Sequence, residues 1–114
     1  MLLSFCALPL VLGTVDGDTV ECLPTGANLR LEAIDAPERG HRADCRSERD
    51  LAESATRRME ELLRDVVAVE DSGRTGGYGR PLVRLRLRNG QTVAEVLISE
   101  GLAVQWAGRR HEWC

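Results

Sequence analysis

The chain has no lysine, few aromatic rings, no closely spaced cysteine pair and no long apolar run. Each absence removes a class of function. Without any stretch of the ~20 apolar residues that a bilayer requires, a membrane-spanning helix is excluded. Without a CxxC or a cysteine–histidine cluster, a zinc ribbon or a thioredoxin-type site has no ligands or redox pair. The rings are Phe5, Tyr78, Trp106 and Trp113, 4% of the chain, too few for a platform on which successive bases stack. All fifteen cations are arginine, so every basic site carries a planar fork suited to phosphate or carboxylate.

What is present describes an ordinary globular domain, and residues 1–114 are taken as one such domain. A chain of 114 residues buries roughly 65% of the surface that its unfolded form exposes, enough for a core of its own. At 43% hydrophobic and 29% charged residues, the composition is not that of a disordered segment. The net charge of −3 hides an asymmetry: residues 1–73 hold eight Arg against fifteen acids, residues 74–114 seven Arg against three. A net-acidic chain is not an obvious polyanion binder, but its basic final third keeps that option open. Four cysteines, Cys6, Cys22, Cys45 and Cys114, allow two disulfides in three connectivities and favour a secreted or periplasmic setting. The apolar opening Met1–Leu12 lacks a basic start and a small-residue cleavage site. It is read as the lead-in to a first strand, which leaves the cytoplasm as the alternative compartment.

Along the chain, Leu10–Val15 and Thr19–Leu23 flank Asp16-Gly17-Asp18 and predict a hairpin. A turn over residues 24–28 precedes Leu29–Ile34, whose apolar and charged residues alternate as in a strand. After an irregular stretch holding Pro37 and Gly40, Ser47 is the expected cap of a helix running to about Arg64, with Leu51, Ala55, Met59, Leu62 and Leu63 as its apolar stripe. Val66–Val69 predicts a short strand and Asp71–Gly79 a glycine-rich loop. Leu82–Arg88 predicts a strand with Val83, Leu85 and Leu87 on one face and Arg84, Arg86 and Arg88 on the other. Thr92-Val93-Ala94-Glu95 is a capping box for a short helix that Gly101 ends, and Leu102–Trp106 is extended. The expected fold is mainly β with helices: a five-stranded OB-fold barrel, a long helix between strands 3 and 4 and a short helix after strand 5.

The acids Asp16, Asp18, Asp35 and Glu38 lie at or just beyond strand ends. If neighbouring strands bring them together, they make a hard, oxygen-only site suited to Ca²⁺. Arg30 leads into the Asp35 loop and Arg80 follows Tyr78-Gly79, and either guanidinium could clamp a phosphate bidentately.

Val15-Asp16-Gly17-Asp18-Thr19-Val20, Arg30-Leu31 leading to Ile34-Asp35-Ala36-Pro37-Glu38, Arg74-Thr75 before Tyr78-Gly79-Arg80, and Ala94-Glu95-Val96-Leu97 to Gly101-Leu102-Ala103 together resemble the staphylococcal nuclease (thermonuclease) family. The blocks come in that family's order over residues 15–103. The resemblance implies Ca²⁺ held by Asp18, Asp35 and the backbone carbonyl of Ala36, with Asp16 behind them. It implies Glu38 as the base that activates water, Arg30 and Arg80 on the scissile phosphate, and Tyr78 against a nucleotide phosphate. The expected activity is calcium-dependent hydrolysis of DNA and RNA by a monomer, with little sequence preference, leaving 3′-phosphate ends. The alternative is a non-catalytic OB-fold module that binds single-stranded nucleic acid or a protein segment.

The chain departs from the family pattern at three places. Gly76-Gly77 stands where a basic residue is usual, the nucleotide-packing tyrosine has no clear counterpart, so that either Trp106 substitutes or the site is open, and Arg109–Cys114 is too short for the usual C-terminal helix. Short members of the family often carry cysteines at the places of Cys45 and Cys114, so the resemblance also implies a disulfide between these two. Cys6 and Cys22 could pair or remain thiols.

Overall fold

The computed structural model describes residues 6, 11–23 and 25–114; apart from Cys6, the lead-in over residues 1–10 lies outside the described residues, as does Pro24. The fold is mixed α+β. Strands β1 (Val11–Thr14), β2 (Thr19–Leu23), β3 (Ala27–Leu31) and β4 (Ile34–Asp35) lead to helix α1 (Arg46–Leu63). Strands β5 (Val66–Thr75) and β6 (Pro81–Leu87), helix α2 (Val93–Ser99) and strand β7 (Val104–Gln105) follow.

Five strands form one sheet in the order β1-β2-β3-β6-β5, and β4 pairs separately with β7. All of the main pairings are antiparallel except β3 with β6, which run parallel with Arg30 opposite Leu82. That register brings Arg30 and Arg80 to the same end of the sheet. β1 and β5 are the two ends of the strand order, and no ladder among the described residues joins them into a closed barrel.

The core is the inward face of these strands closed by the helices: Val20, Leu29, Leu31, Val83, Leu85 and Leu87 meet Met59 and Leu62 of α1 and Val93 and Leu97 of α2. The alternation seen in the sequence accounts for β6, since Val83, Leu85 and Leu87 are buried while Arg84 is exposed and Arg86 half-exposed. Thr92 and Glu95 exchange the two hydrogen bonds of a capping box, and Gly101 follows α2 at φ 74°, a left-handed conformation that glycine adopts without cost.

The elements differ from the sequence expectation in four respects. The run Leu29–Ile34 is not one strand: Ala33 takes φ 64°, the chain turns, and Ile34–Asp35 leaves β2 to pair with Val104–Gln105. The long helix therefore follows a fourth strand and the short helix follows the sixth, one place later than expected. Helix α1 is capped at Cys45, not at Ser47, and the Cys45 side chain makes no cap bond. Glu48 in the first turn reaches back past the cap and accepts the Asp44 N–H at 2.8 Å, which ties the helix start to the loop before it. Finally, β5 continues to Thr75 through Gly73, with a register shift between Asp71 and Thr75, so much of the expected loop is strand.

Both disulfides, Cys45–Cys114 and Cys6–Cys22, are formed. No helix among the described residues is long and apolar enough to cross a membrane.

Candidate active site

The hairpin between β1 and β2 builds the first wall. The Val15 and Asp16 N–H groups both donate to the Thr19 carbonyl, and the Asp18 N–H donates to Asp16 Oδ1 at 3.1 Å. This Asx turn points both carboxylates out of the same end of the sheet. Gly17 is required by close approach: a Cβ there would stand 3.0 Å from the Cβ atoms of both Ala36 and Ala55. The turn is thus wedged between the loop after β4 and helix α1.

Asp18 is 8% exposed. Its Oδ1 accepts from the Thr19 hydroxyl at 3.1 Å and its Oδ2 from the Ala36 N–H at 3.3 Å. Arg30 Nη2 lies 3.4 Å from Oδ2. Burial, and then repulsion from Asp16, outweigh Arg30 and the Thr19 bond and push the Asp18 carboxyl up to about 7. The Glu38 carboxyl is raised as well, first by burial and then by Asp16, against the opposing pull of Arg110 and Arg42.

Arg80 comes from the other side. Its Nε donates to the Gly77 carbonyl at 3.1 Å, and Nη1 donates to Thr19 Oγ1 at 3.4 Å. Thr19 in turn donates to Asp18, so the guanidinium stands two hydrogen bonds from that carboxylate. Tyr78, at φ 62° and 99% exposed, holds its ring 5.7 Å from Arg80 Cζ.

These groups line one cleft of about 1040 Å³. It collects Asp16, Asp18, Arg30, Glu38, Tyr78 and Arg80 from segments far apart in the chain. Asp35 and Ala36 do not line it: they lie beneath it, 5% and 4% exposed. Asp35 Oδ2 accepts from the His111 N–H at 2.8 Å, and no hydrogen bond among the described residues reaches its Oδ1. No group of three or more His, Cys, Asp or Glu side chains among the described residues is gathered as a metal cluster. Trp106, half-exposed, lies outside the cleft.

Sequence reading passed over Glu48, Arg110 and the backbone of His111. Glu48 has no exposed surface, and it accepts the Glu38 N–H and the Asp44 N–H, each at 2.8 Å. Arg110 bonds it from the other side and also holds Asp44 Oδ2 at 2.8 Å. Burial alone would raise the Glu48 carboxyl. The two N–H donors and the guanidinium reverse that and hold it below the usual carboxylate range. The available signal was the Cys45–Cys114 pairing implied by the resemblance, which draws residue 110 toward residue 48. Arg42, an exposed cation on the cleft wall, also carried no motif.

An acidic turn, a second acidic loop, an arginine of β3 and an arginine just before β6 therefore meet at one sheet end, in the chain order of the resemblance. No curated protein matches the chain. The family model described as staphylococcal nuclease homologue matches residues 28–112, and the chain belongs to that family.

Proposed function

We propose that the chain is a calcium-dependent phosphodiesterase acting on DNA and RNA, leaving 3′-phosphate ends. Membership of the family supports the coarser statement that this is a domain of nuclease type or one that binds nucleic acid. One observation carries the finer reading: a single cleft brings together the carboxylates of Asp16, Asp18 and Glu38 with the guanidiniums of Arg30 and Arg80.

The residues fit a hard cation. A buried carboxyl raised to about 7 by burial and a neighbouring acid is short of positive charge, and Arg30 supplies only part of it. Asp18 and the Oδ1 of Asp35 offer hard oxygens, and the Ala36 carbonyl would add a third. Two side chains with a backbone oxygen and water make such a site without a three-side-chain cluster. Bound there, Ca²⁺ would neutralise phosphate charge and favour ionised water at neutral pH.

The protein groups divide the remaining work. Arg30 and Arg80 grip the phosphoryl oxygens and stabilise the charge that grows on them. Glu38 takes a proton from the attacking water as its oxygen bonds to phosphorus. The bond from phosphorus to the 5′ oxygen breaks, and that oxygen is protonated from solvent. Tyr78, exposed on the cleft wall, meets an adjoining phosphate in this reading. Among the described residues Tyr78 is the only ring on the cleft wall, which disfavours a binding module based on stacked bases. Two disulfides suit an oxidising compartment, secreted or periplasmic.

The test is a divalent-ion titration of hydrolysis on labelled single-stranded DNA. Activity is expected to vanish with a chelator and return with Ca²⁺. Undiminished cleavage in chelator would overturn the metal assignment, and no cleavage with any divalent ion would overturn the enzyme.

A further inference from the structure

We infer that Arg110, acting through Glu48, is a positioning residue for the Asp35–Glu38 loop, and that the segment 106–114 is thereby part of the catalytic apparatus. The inference rests on the hydrolytic reading above and adds residues to it.

The segment is anchored on both sides of that loop. At one end the Trp106 N–H donates to the Ala33 carbonyl, next to the β4–β7 ladder. At the other end Cys114 is bonded to Cys45, with 6.1 Å between the Cα atoms. Between these anchors the chain must cross residues 35–45. In crossing, it makes two contacts with groups that bear on the chemistry. The His111 N–H holds Asp35 Oδ2, and Arg110 holds Glu48, which holds the Glu38 N–H.

Stability alone does not account for this arrangement. A fully buried carboxylate paired with an arginine is often no more stabilising than apolar residues of the same volume. What an apolar pair could not do is accept two N–H groups from separate turns of the loop. Glu48 Oε2 takes the Glu38 N–H and Oε1 takes the Asp44 N–H, so one carboxylate sets the spacing between the base and the start of α1. Arg110 spans Glu48 and Asp44 with its two terminal nitrogens, and so prevents the carboxylate from turning. A general base displaced by an ångström costs about 10²-fold in rate.

The experiment compares Arg110→Ala and Arg110→Lys with the unaltered chain, disulfides intact and well below melting. Amide hydrogen exchange at Glu38, Asp44 and His111 is the first readout, and kcat and KM on single-stranded DNA are the second. Arg110→Ala is expected to speed exchange at all three amides and to lower kcat about tenfold to a hundredfold at unchanged KM. Arg110→Lys, able to reach one carboxylate at a time, is expected to restore part of both, and it replaces the alanine variant if that one does not fold. Unaltered exchange overturns the positioning role, and so does unaltered kcat where exchange has quickened. A general weakening of the fold would instead lower the melting temperature and leave the kcat-to-KM split alone, which also overturns it. If the unaltered chain hydrolyses nothing, the hydrolytic reading falls, and exchange alone decides the clamp.

Discussion

The cleft and the outer face of β5 and β6 are built from the same residue types at similar distances, yet their charges are in opposite condition. On the outer face Glu70 of β5, and Glu32 from the turn after β3, are each met by two arginines. Glu70 accepts from Arg86 at 2.7 and 3.1 Å and from Arg84 at 3.4 Å. Glu32 receives Arg84 at 3.3 Å and Arg74 at 3.7 Å. The Glu70 carboxyl is accordingly held below its ordinary range, chiefly by the Arg86 bond. In the cleft, burial and then repulsion from Asp16 win over Arg30 at Asp18 and over Arg110 and Arg42 at Glu38, and both carboxyls rise. A satisfied network holds a surface together, whereas an unsatisfied one stores electrostatic free energy that a ligand can release.

The largest effect that would sharpen this contrast is at Glu38. Glu38→Gln is expected to slow hydrolysis by about 10² to 10⁴-fold with the melting temperature unchanged, measured as kcat on single-stranded DNA. The matching change on the other face, Glu70→Gln, is expected to leave kcat alone. Equal losses at the two would erase the distinction.

Arg80 comes next. Among the described residues its guanidinium has only neutral partners, the Gly77 carbonyl, the Thr19 hydroxyl and the Tyr78 ring, so no carboxylate there competes with a phosphate for it. Arg80→Ala is expected to cost about 10² to 10³-fold in kcat, the usual worth of a donor aimed at developing charge. Arg80→Lys is expected to recover little, because an ammonium cannot grip two oxygens at once. Full recovery with lysine would reduce Arg80 to a point charge.

Much of this was legible beforehand wherever the signal is local. The Asp16-Gly17-Asp18 hairpin, the capping box at Thr92 and the buried parity of β6 each depend on residues within a few positions of one another. What escaped reading depends on distant partners or on backbone atoms. Ala33 gives no hint that it will adopt φ 64°, so the break that sends Asp35 beneath the cleft could not be seen. Glu48 looks like any acid in a first helical turn until Arg110, sixty-two residues later, is found against it. The group that holds Asp35 is the backbone N–H of His111, and a backbone donor leaves no trace in residue identity. Neighbouring strand ends allow Asp18 and Glu38 to meet, but the full set with Arg30 and Arg80 is carried by family order, and no pattern within any one segment specifies it.

Asp18 gives a prediction of intermediate size in which stability and function are opposed. Its carboxyl stands at about 7 in the folded chain against an ordinary 3.8. Between those pH values the folded state holds a proton that the unfolded state has lost, so metal-free stability falls as pH rises from about 4 to about 7. The loss is on the order of 4 kcal/mol at most. Asp18→Asn is expected to remove this slope, leaving the metal-free protein more stable than the unaltered chain at pH 7.5, equal to it at pH 3.5, and inactive at both. Ca²⁺ is expected to raise the melting temperature of the unaltered chain only, by binding its folded form. Urea titrations across that pH range check the sign, and a variant less stable at pH 7.5 would show that Arg30 satisfies the carboxylate after all.

The smallest expected effect tests whether the paired face is as neutral as its geometry implies. Each arginine bound to a phosphate adds about one ion to the slope of log affinity against log salt. Arg86 already meets Glu70 with two nitrogens and the Gly90 carbonyl with a third, so binding a polyanion would require breaking contacts it has made. Exposed ion pairs of this kind contribute little to stability. Arg86→Ala is therefore expected to leave kcat, KM and the salt slope of KM unchanged and to lower the melting temperature slightly. Arg80→Ala is expected to reduce the salt slope by about 1. If Arg86→Ala reduced it as much, the row on β6 would be part of the nucleic-acid surface, and the division between a satisfied face and an unsatisfied cleft would fail.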